Sequence, residues 1–238
     1  MDVKTTMISK CTTFLALIIL SLPLSFSASA QGNQLPIILE LFTAESCPYC
    51  PQADALMAEY TKLPRVIGYS CHVARTHSDL SFAHDFCSRR QEYYQRTIGF
   101  KGRYTPQMVV NGVVEVTGYR QDKITAAAKK SLKHMGKIKI REASPDLFVL
   151  DMPAAVSADY MLVVVQIAKP KAASKRFSAG GNRTYHNLAT QFSDTMKWQG
   201  ERGPLHMRMG KEQGGKGFIV LAQKISTGKI VAAGQYLF

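Results

Sequence analysis

The sequence predicts an α/β domain followed by a small antiparallel β-rich domain. Three observations carry this expectation. Between residues 35 and 135, short apolar runs alternate with helical patterns in the order β-α-β-α-β-β-α. Asn111-Gly112 lies between two β-rich runs, which is the strongest short-range signal for a hairpin. After Gly136 the helical pattern gives way to runs rich in Val, Ile and Leu, interrupted by a Gly-rich basic stretch.

The chain has 238 residues, a formal net charge of +13 and five cysteines, and 46% of it is apolar. That composition supports a core and excludes wholesale disorder. Cysteine is too sparse for a disulfide scaffold, where it exceeds about 8–10%. Residues 1–30 read as a secretory signal peptide: Lys4 and Lys10, an apolar run from Phe14 to Leu24, then small residues ending at Ala28 and Ala30. The run is shorter than the ~20 residues of a membrane span, and Pro23 interrupts it. The mature chain is expected to start near Gln31. Cys11 leaves with the signal, so Cys47, Cys50, Cys71 and Cys87 remain. An exported chain meets an oxidising compartment, where disulfides persist. No other run is long enough to span a bilayer, so stable membrane insertion is not expected.

The elements follow in order. Residues 35–42 form a buried-strand run. Residues 51–62 read as a helix, ended by Leu63-Pro64. Residues 65–71 read as a second strand and 80–97 as a long helix stopping before Gly99. Residues 107–111 and 113–117 form the hairpin around Asn111-Gly112, and 121–135 a helix ended by Gly136. Two strands joined through a helix suggest a parallel pair with a right-handed crossover. This is the minimal thioredoxin-like order, expected over residues 31–135. The β-rich domain is expected over 136–238, with strands at 137–150, 160–168, 217–225 and 229–238. Its long loop, 170–216, is expected to carry a short helix from Tyr185 to Trp198.

Cys47-Pro48-Tyr49-Cys50 falls between the first strand and the first helix. A thiolate is the attacking species, and a thiol with pKa near ~8.5 is mostly protonated at neutral pH. Unpaired N–H groups and the dipole at a helix N-terminus stabilise the anion. Cys47 is expected there with its sulfur exposed, and Cys50 as the thiol that resolves a mixed disulfide. A lone Cys-x-x-Cys also suits a local structural disulfide, or half of a zinc site. The second signal is Tyr104-Thr105-Pro106 before a strand, where proline removes a ladder donor. A cis-proline there would turn Thr105 toward Cys47 and let it bind an incoming peptide as a temporary strand.

Glu40-Leu-Phe-Thr43 with Cys47-x-x-Cys50-Pro51-x-Ala53-Asp54 resembles the opening of secreted bacterial thioredoxin-like proteins catalogued as a domain of unknown function. His72-Val73, Arg90-Gln91-x-x-Tyr94, Tyr104 to Gly112, and Arg183-Thr184 with His186-Asn187 agree with it. The resemblance implies a thioredoxin-like fold and a bacterial periplasmic location, but no substrate. The Pro-Tyr dipeptide departs from the small polar residues common there and is similar to glutaredoxins. Ala74-Arg75-Thr76-His77 replaces an acidic-aromatic run.

Four cysteines allow three pairings. Cys47–Cys50 with Cys71–Cys87 is favoured. Two buried free thiols at 71 and 87, or a relay through Cys71, stay open. Glu45 is expected to point to solvent and Asp54 to make a bond within the first helix. His72 and His77 are expected at a surface, or as proton shuttles. The basic excess runs from Lys129 to Arg141 and from Lys169 to Arg208, without a nucleic-acid-binding motif. It reads as solvated faces, or as attraction to acidic partners.

The expected function is an exported thiol–disulfide oxidoreductase without a cofactor. Its catalytic residues are Cys47 and Cys50, and Thr105, Pro106 and Tyr49 bind the substrate. Its partners are protein or small-molecule thiols and disulfides, with no nucleic acid. The alternatives are a copper or zinc protein using Cys47, Cys50 and His72, and a non-catalytic thioredoxin-like binding module. Oligomeric state is not legible.

Overall fold

The computed structural model describes Met1 and residues 35–75, 81–132, 135–153, 160–172, 183–193, 196–198, 203–211 and 213–238. The expected signal peptide and His77 lie outside them. Seven elements open the described chain: β1 (Ile37–Thr43), α1 (Cys50–Tyr60), β2 (Val66–His72), α2 (Asp85–Ile98), β3 (Gln107–Val110), β4 (Val114–Thr117) and α3 (Gln121–Ser131). Their sheet has the order β2-β1-β3-β4. β1 and β2 are parallel, with Phe42 beside Cys71, and β3 runs antiparallel to both β1 and β4. Asn111 (φ 51°) and Gly112 (φ 70°) turn the hairpin, and a Cβ at Gly112 would meet Gly228 O at 2.2 Å. Glycine is therefore required there by both dihedral and space.

Strands follow: β5 (Gly136–Lys137), β6 (Lys139–Ser144), β7 (Leu147–Asp151), β8 (Tyr160–Ala168), β9 (Lys171–Ala172), β10 (Thr184–Tyr185), β11 (Ala189–Phe192), β12 (Met196–Trp198), β13 (Leu205–Arg208), β14 (Gly215–Lys224) and β15 (Ile230–Leu237). One sheet has the order β11-β8-β14-β15-β5, with β12 also on β8, and another the order β13-β7-β6. The molecule is thus mixed α/β, with its sheets stacked. Leu39, Leu41, Met108 and Val110 pack on Ala53 and Met57 of α1 and Ile124 and Ala127 of α3. On the other face, Ile38, Phe42 and Tyr69 share a core with Val163, Val165, Ile219 and Leu221. Phe218 and Val220 point the opposite way, onto Phe148 and Leu150. β14 is therefore buried on both faces, which explains its continuous apolar run.

Three expectations are corrected. The described residues between Tyr185 and Trp198 contribute to β10, β11 and β12 rather than to a helix. Tyr185, Leu188, Ala189 and Phe192 have helical spacing, but β8 offers an edge to which β11 and β12 hydrogen-bond, and pairing outweighs spacing. The second helix starts at Asp85, after residues 81–84, and the third stops at Ser131. Across the expected 135/136 boundary the packing is continuous, with Ile38 and Phe42 sharing a core with Val163 and Ile219.

A buried ion pair ties the halves together. Arg90 donates to Glu40 Oε1 at 3.0 Å, to Tyr94 OH at 2.9 Å and to Gln223 Oε1 at 3.3 Å. Tyr69 and Tyr94 donate to the same Glu40 carboxylate. The outer edge of β2 is covered too: Ser70 N–H donates to Asn187 O at 3.0 Å, and Asn187 Nδ2 to Gly68 O at 2.8 Å. This lets an edge strand be buried along its whole length.

Candidate functional site

β1 ends at Thr43, and a tight loop leads into α1. Tyr49 is the N-cap and Cys50 the first helical residue, with Pro51 next in the first turn, where proline costs no hydrogen bond. Cys47 N–H donates to Ala44 O at 3.3 Å and Cys50 N–H to Cys47 O at 3.2 Å. Both thiols are free. The sulfur of Cys47, expected at the surface, belongs to a residue with 0% exposure, because the Thr105-Pro106 turn packs against it. That bond is cis, and Cys47 Sγ lies 3.4 Å from Thr105 O.

The two thiols differ sharply in proton affinity. A hydrogen bond from the Cys50 side chain lowers Cys47 from the ordinary thiol value to about 5, against the opposing effect of burial. The Thr105 hydroxyl and the backbone N–H groups of Tyr49 and Cys50 add to the lowering. Thr105 Oγ1 is buried, on the same turn as the carbonyl that the Cys47 sulfur meets. Burial pushes Cys50 well up, and the Cys47 sulfur beside it adds to the rise. The shared proton therefore rests on Cys50 and the charge on Cys47.

Side chains from α2 and the hairpin hold the Thr105 turn. Gln91 Nε2 donates to Tyr104 O and to Gln107 Oε1, both at 2.9 Å. Tyr104 OH and Gln107 Nε2 both donate to Glu115. Gly118 N–H donates to Pro106 O at 2.9 Å. A Cβ on Gly118 would stand 2.8 Å from Leu41 and 3.1 Å from Pro106, so the bare backbone lets this turn reach α1. A cavity of about 300 Å³ beside Thr105 is lined by Arg75, Ser88, Gln91, Arg103 and Tyr104 among others.

Behind the thiols lies a polar cluster that the sequence reading missed. Glu45, expected at the surface, has 0% exposure, because the loop folds inward under the C-terminal segment. Asp54 makes its side-chain bonds outside its helix. Thr43 Oγ1 donates to Asp54 Oδ1 at 2.8 Å and Arg183 Nη1 to Asp54 Oδ2 at 3.1 Å. Arg183 Nη2 also donates to Glu45 O at 2.6 Å. Burial raises Asp54 to about 7, with Thr43 and Arg183 acting against it. The four-residue spacing of Cys50 and Asp54 puts both on one helix face, a signal that could have found Asp54. Arg183 lies 129 residues away; its Arg183-Thr184 motif belongs to the family resemblance, but nothing local says that it reaches Asp54.

The other predicted residues fall into place around this. Tyr49 is 62% exposed and lies against Tyr119, ring centroids 6.4 Å apart. Cys71 and Cys87 are joined by a disulfide between β2 and α2, Cα–Cα 5.4 Å. His72, expected at a surface, is buried with its ring against Tyr185 at 4.3 Å. Among the described residues, no three His, Cys, Asp or Glu side chains are grouped to hold a metal ion, so Cys47, Cys50 and His72 are not brought together as a ligand set. No described helix is long and apolar enough to cross a membrane.

Comparison with known proteins adds fold and family. An X-ray structure of a protein from Agrobacterium tumefaciens superposes with a TM-score of 0.70 at 24% identity, covering 87% of this chain and 96% of that one. HBP35 of Porphyromonas gingivalis superposes with a TM-score of 0.63 at 13% identity, covering 87% of this chain and 76% of that one. At these identities the likeness is one of fold. No curated protein matches the chain significantly. The family model described as protein of unknown function DUF1223 matches residues 38–223, a span that takes in the Cys-x-x-Cys loop, the cis Thr-Pro turn and Arg183 alike, and the chain belongs to that family.

Proposed function

We propose that the chain is an exported thiol–disulfide oxidoreductase, secreted to the bacterial periplasm, with a thioredoxin-like fold in its N-terminal half. The observation that carries this is the split in proton affinity within Cys47-Pro48-Tyr49-Cys50, whose first sulfur lies 3.4 Å from Thr105 O. A structural disulfide has no use for one thiol held as an anion and its neighbour held as a thiol; an exchange reaction needs both. Cys47 attacks a sulfur of the substrate disulfide. The Cys47–substrate bond forms, the substrate S–S bond breaks, and one substrate thiolate leaves. Cys50 then attacks Cys47 Sγ, releasing the second substrate thiolate and leaving Cys47–Cys50 oxidised. The two electrons come from the dithiol, so no cofactor is needed. The backbone of Thr105 aligns the partner as a short strand, and Tyr49 offers an exposed aromatic face beside it.

The test is equilibration of the mature protein in glutathione buffers, with Cys47 alkylation followed by mass spectrometry. Exchange with a potential between about −270 and −120 mV is the expected result. A potential below about −300 mV without exchange would mark a structural bond and sink the reading. Stoichiometric copper or zinc on the reduced protein, lost in Cys47→Ser, would favour a metal carrier instead.

A further inference from the structure

We propose that Arg183, delivered by the C-terminal half of the chain, is a positioning residue of the dithiol site. It holds Asp54 as the acceptor for the Cys50 proton, which passes through the Thr43 hydroxyl. This rests on the oxidoreductase reading and gives the C-terminal half a part in it.

The argument starts from placement. Cys50, Ala53, Asp54 and Met57 form the buried face of α1, and Thr43 ends β1 against that face. The Thr43 hydroxyl donates to Asp54 Oδ1 at 2.8 Å and lies within hydrogen-bonding reach of the Cys50 sulfur. With its own proton on the carboxylate, Thr43 would accept from the Cys50 S–H; once that proton has passed, it donates to the Cys50 thiolate, the bond that lowers Cys50. The relay runs from Cys50 to Thr43 to Asp54. Arg183 takes the other carboxylate oxygen, and its second bond goes to the Glu45 carbonyl in the loop leading to Cys47. One guanidinium thus orients the acceptor and anchors the loop that carries the nucleophile.

Burial makes the arrangement consequential. Asp54 is 5% exposed and Arg183 8%. A carboxyl at that depth without its cation stays protonated and accepts nothing at neutral pH. The other titratable groups around it are Glu45 and Cys47 from the loop, Cys50 from α1 and Tyr185 from β10, with His72 of β2 edge-on to Tyr185. None of these is a permanent cation, so Arg183 supplies the positive charge that keeps Asp54 usable.

The step balances. In the mixed disulfide, the Cys50 proton moves to Thr43 Oγ1 as the Thr43 proton moves to Asp54 Oδ1. The Cys50 thiolate forms the bond to Cys47 Sγ, and the Cys47–substrate bond breaks. The substrate leaves as a thiolate and takes a proton from solvent.

The experiment uses the reduced mature protein mixed with excess oxidised glutathione, quenched in acid at successive times and read by mass spectrometry. Formation of the Cys47–glutathione species and its resolution by Cys50 are timed separately across a pH series. Arg183→Met is expected to move the midpoint of the resolution profile up by at least about one pH unit. For a group that starts near 7, that slows resolution at neutral pH about fivefold, a larger effect than on formation. Arg183→Lys restores part of the rate. Asp54→Asn removes the midpoint, and adding Arg183→Met to it slows nothing further. Thr43→Val slows resolution with the ion pair intact. Where Arg183→Met fails to fold, judged by circular dichroism and the intact Cys71–Cys87 bond, Arg183→Lys and Thr43→Val decide. A wild-type midpoint in the Arg183 variants, or equal slowing of both steps without rescue by lysine, overturns the proposal. Failure of the wild-type protein to form the mixed disulfide at all overturns the oxidoreductase reading, a different outcome.

Discussion

A thiolate at Cys47 is met by the Cys50 side chain, the Thr105 hydroxyl and two backbone N–H groups, whereas Cys50 loses its hydration with fewer compensating donors. The reduced protein is therefore expected to show a thiolate absorbance step with a midpoint near pH 5, as the lowered value of Cys47 requires. Cys47→Ser should lack the step, and Thr105→Val should shift it upward; a midpoint at the ordinary thiol value would contradict the geometry. The sign for stability follows from the direction. A thiol lowered on folding adds stability that is complete above its unfolded value and is lost as pH falls through about 5. Wild type should therefore lose more denaturation midpoint than Cys47→Ser between those limits. The meeting of Cys47, Cys50, Thr105 and Pro106 was legible because each lies in a short motif whose spacing dictates its place. The burial of Glu45 was not, because one acidic residue in a six-residue loop has no periodicity that betrays its direction.

The elements of the N-terminal half follow their sequence patterns because local signals agree there: buried-strand runs, a proline in the first helical turn, and Asn111-Gly112 at the hairpin. Glu40 shows how these elements are joined. It sits in the middle of β1, accepts from Arg90 of α2, and through Tyr94 is linked to Gln223 of β14. Glu40→Ala leaves the guanidinium buried without its charge partner and is expected to cost about 3–5 kcal/mol. Chemical denaturation of the oxidised protein measures this, and a cost below about 1 kcal/mol would show the pair to be solvated. The stretch from Tyr185 to Trp198 misled because its apolar spacing suits a helix, while the free edge of β8 made a strand the better solution.

Across the whole molecule the charge of +13 finds one specific setting. Arg75 and Arg103 line the cavity beside Thr105, where an incoming partner would lie. Attack on an acidic peptide disulfide should slow as salt rises from about 0.01 to 0.1 M, because the screening length falls from about 30 to about 10 Å. A neutral disulfide should show little change; equal slopes for the two would remove the charge from any role in docking. The sequence by itself determined the order of elements through residue 135, the dithiol with its Thr-Pro partner, and the membership that those motifs announce. These are local properties, set by spacing along the chain. Only the tertiary structure decided that Cys71 pairs with Cys87, that one core runs through both halves, and that Arg183 reaches Asp54. Such contacts join residues far apart in the chain, and they exist because a buried charge or an open strand edge must be satisfied by whatever the folded chain brings near.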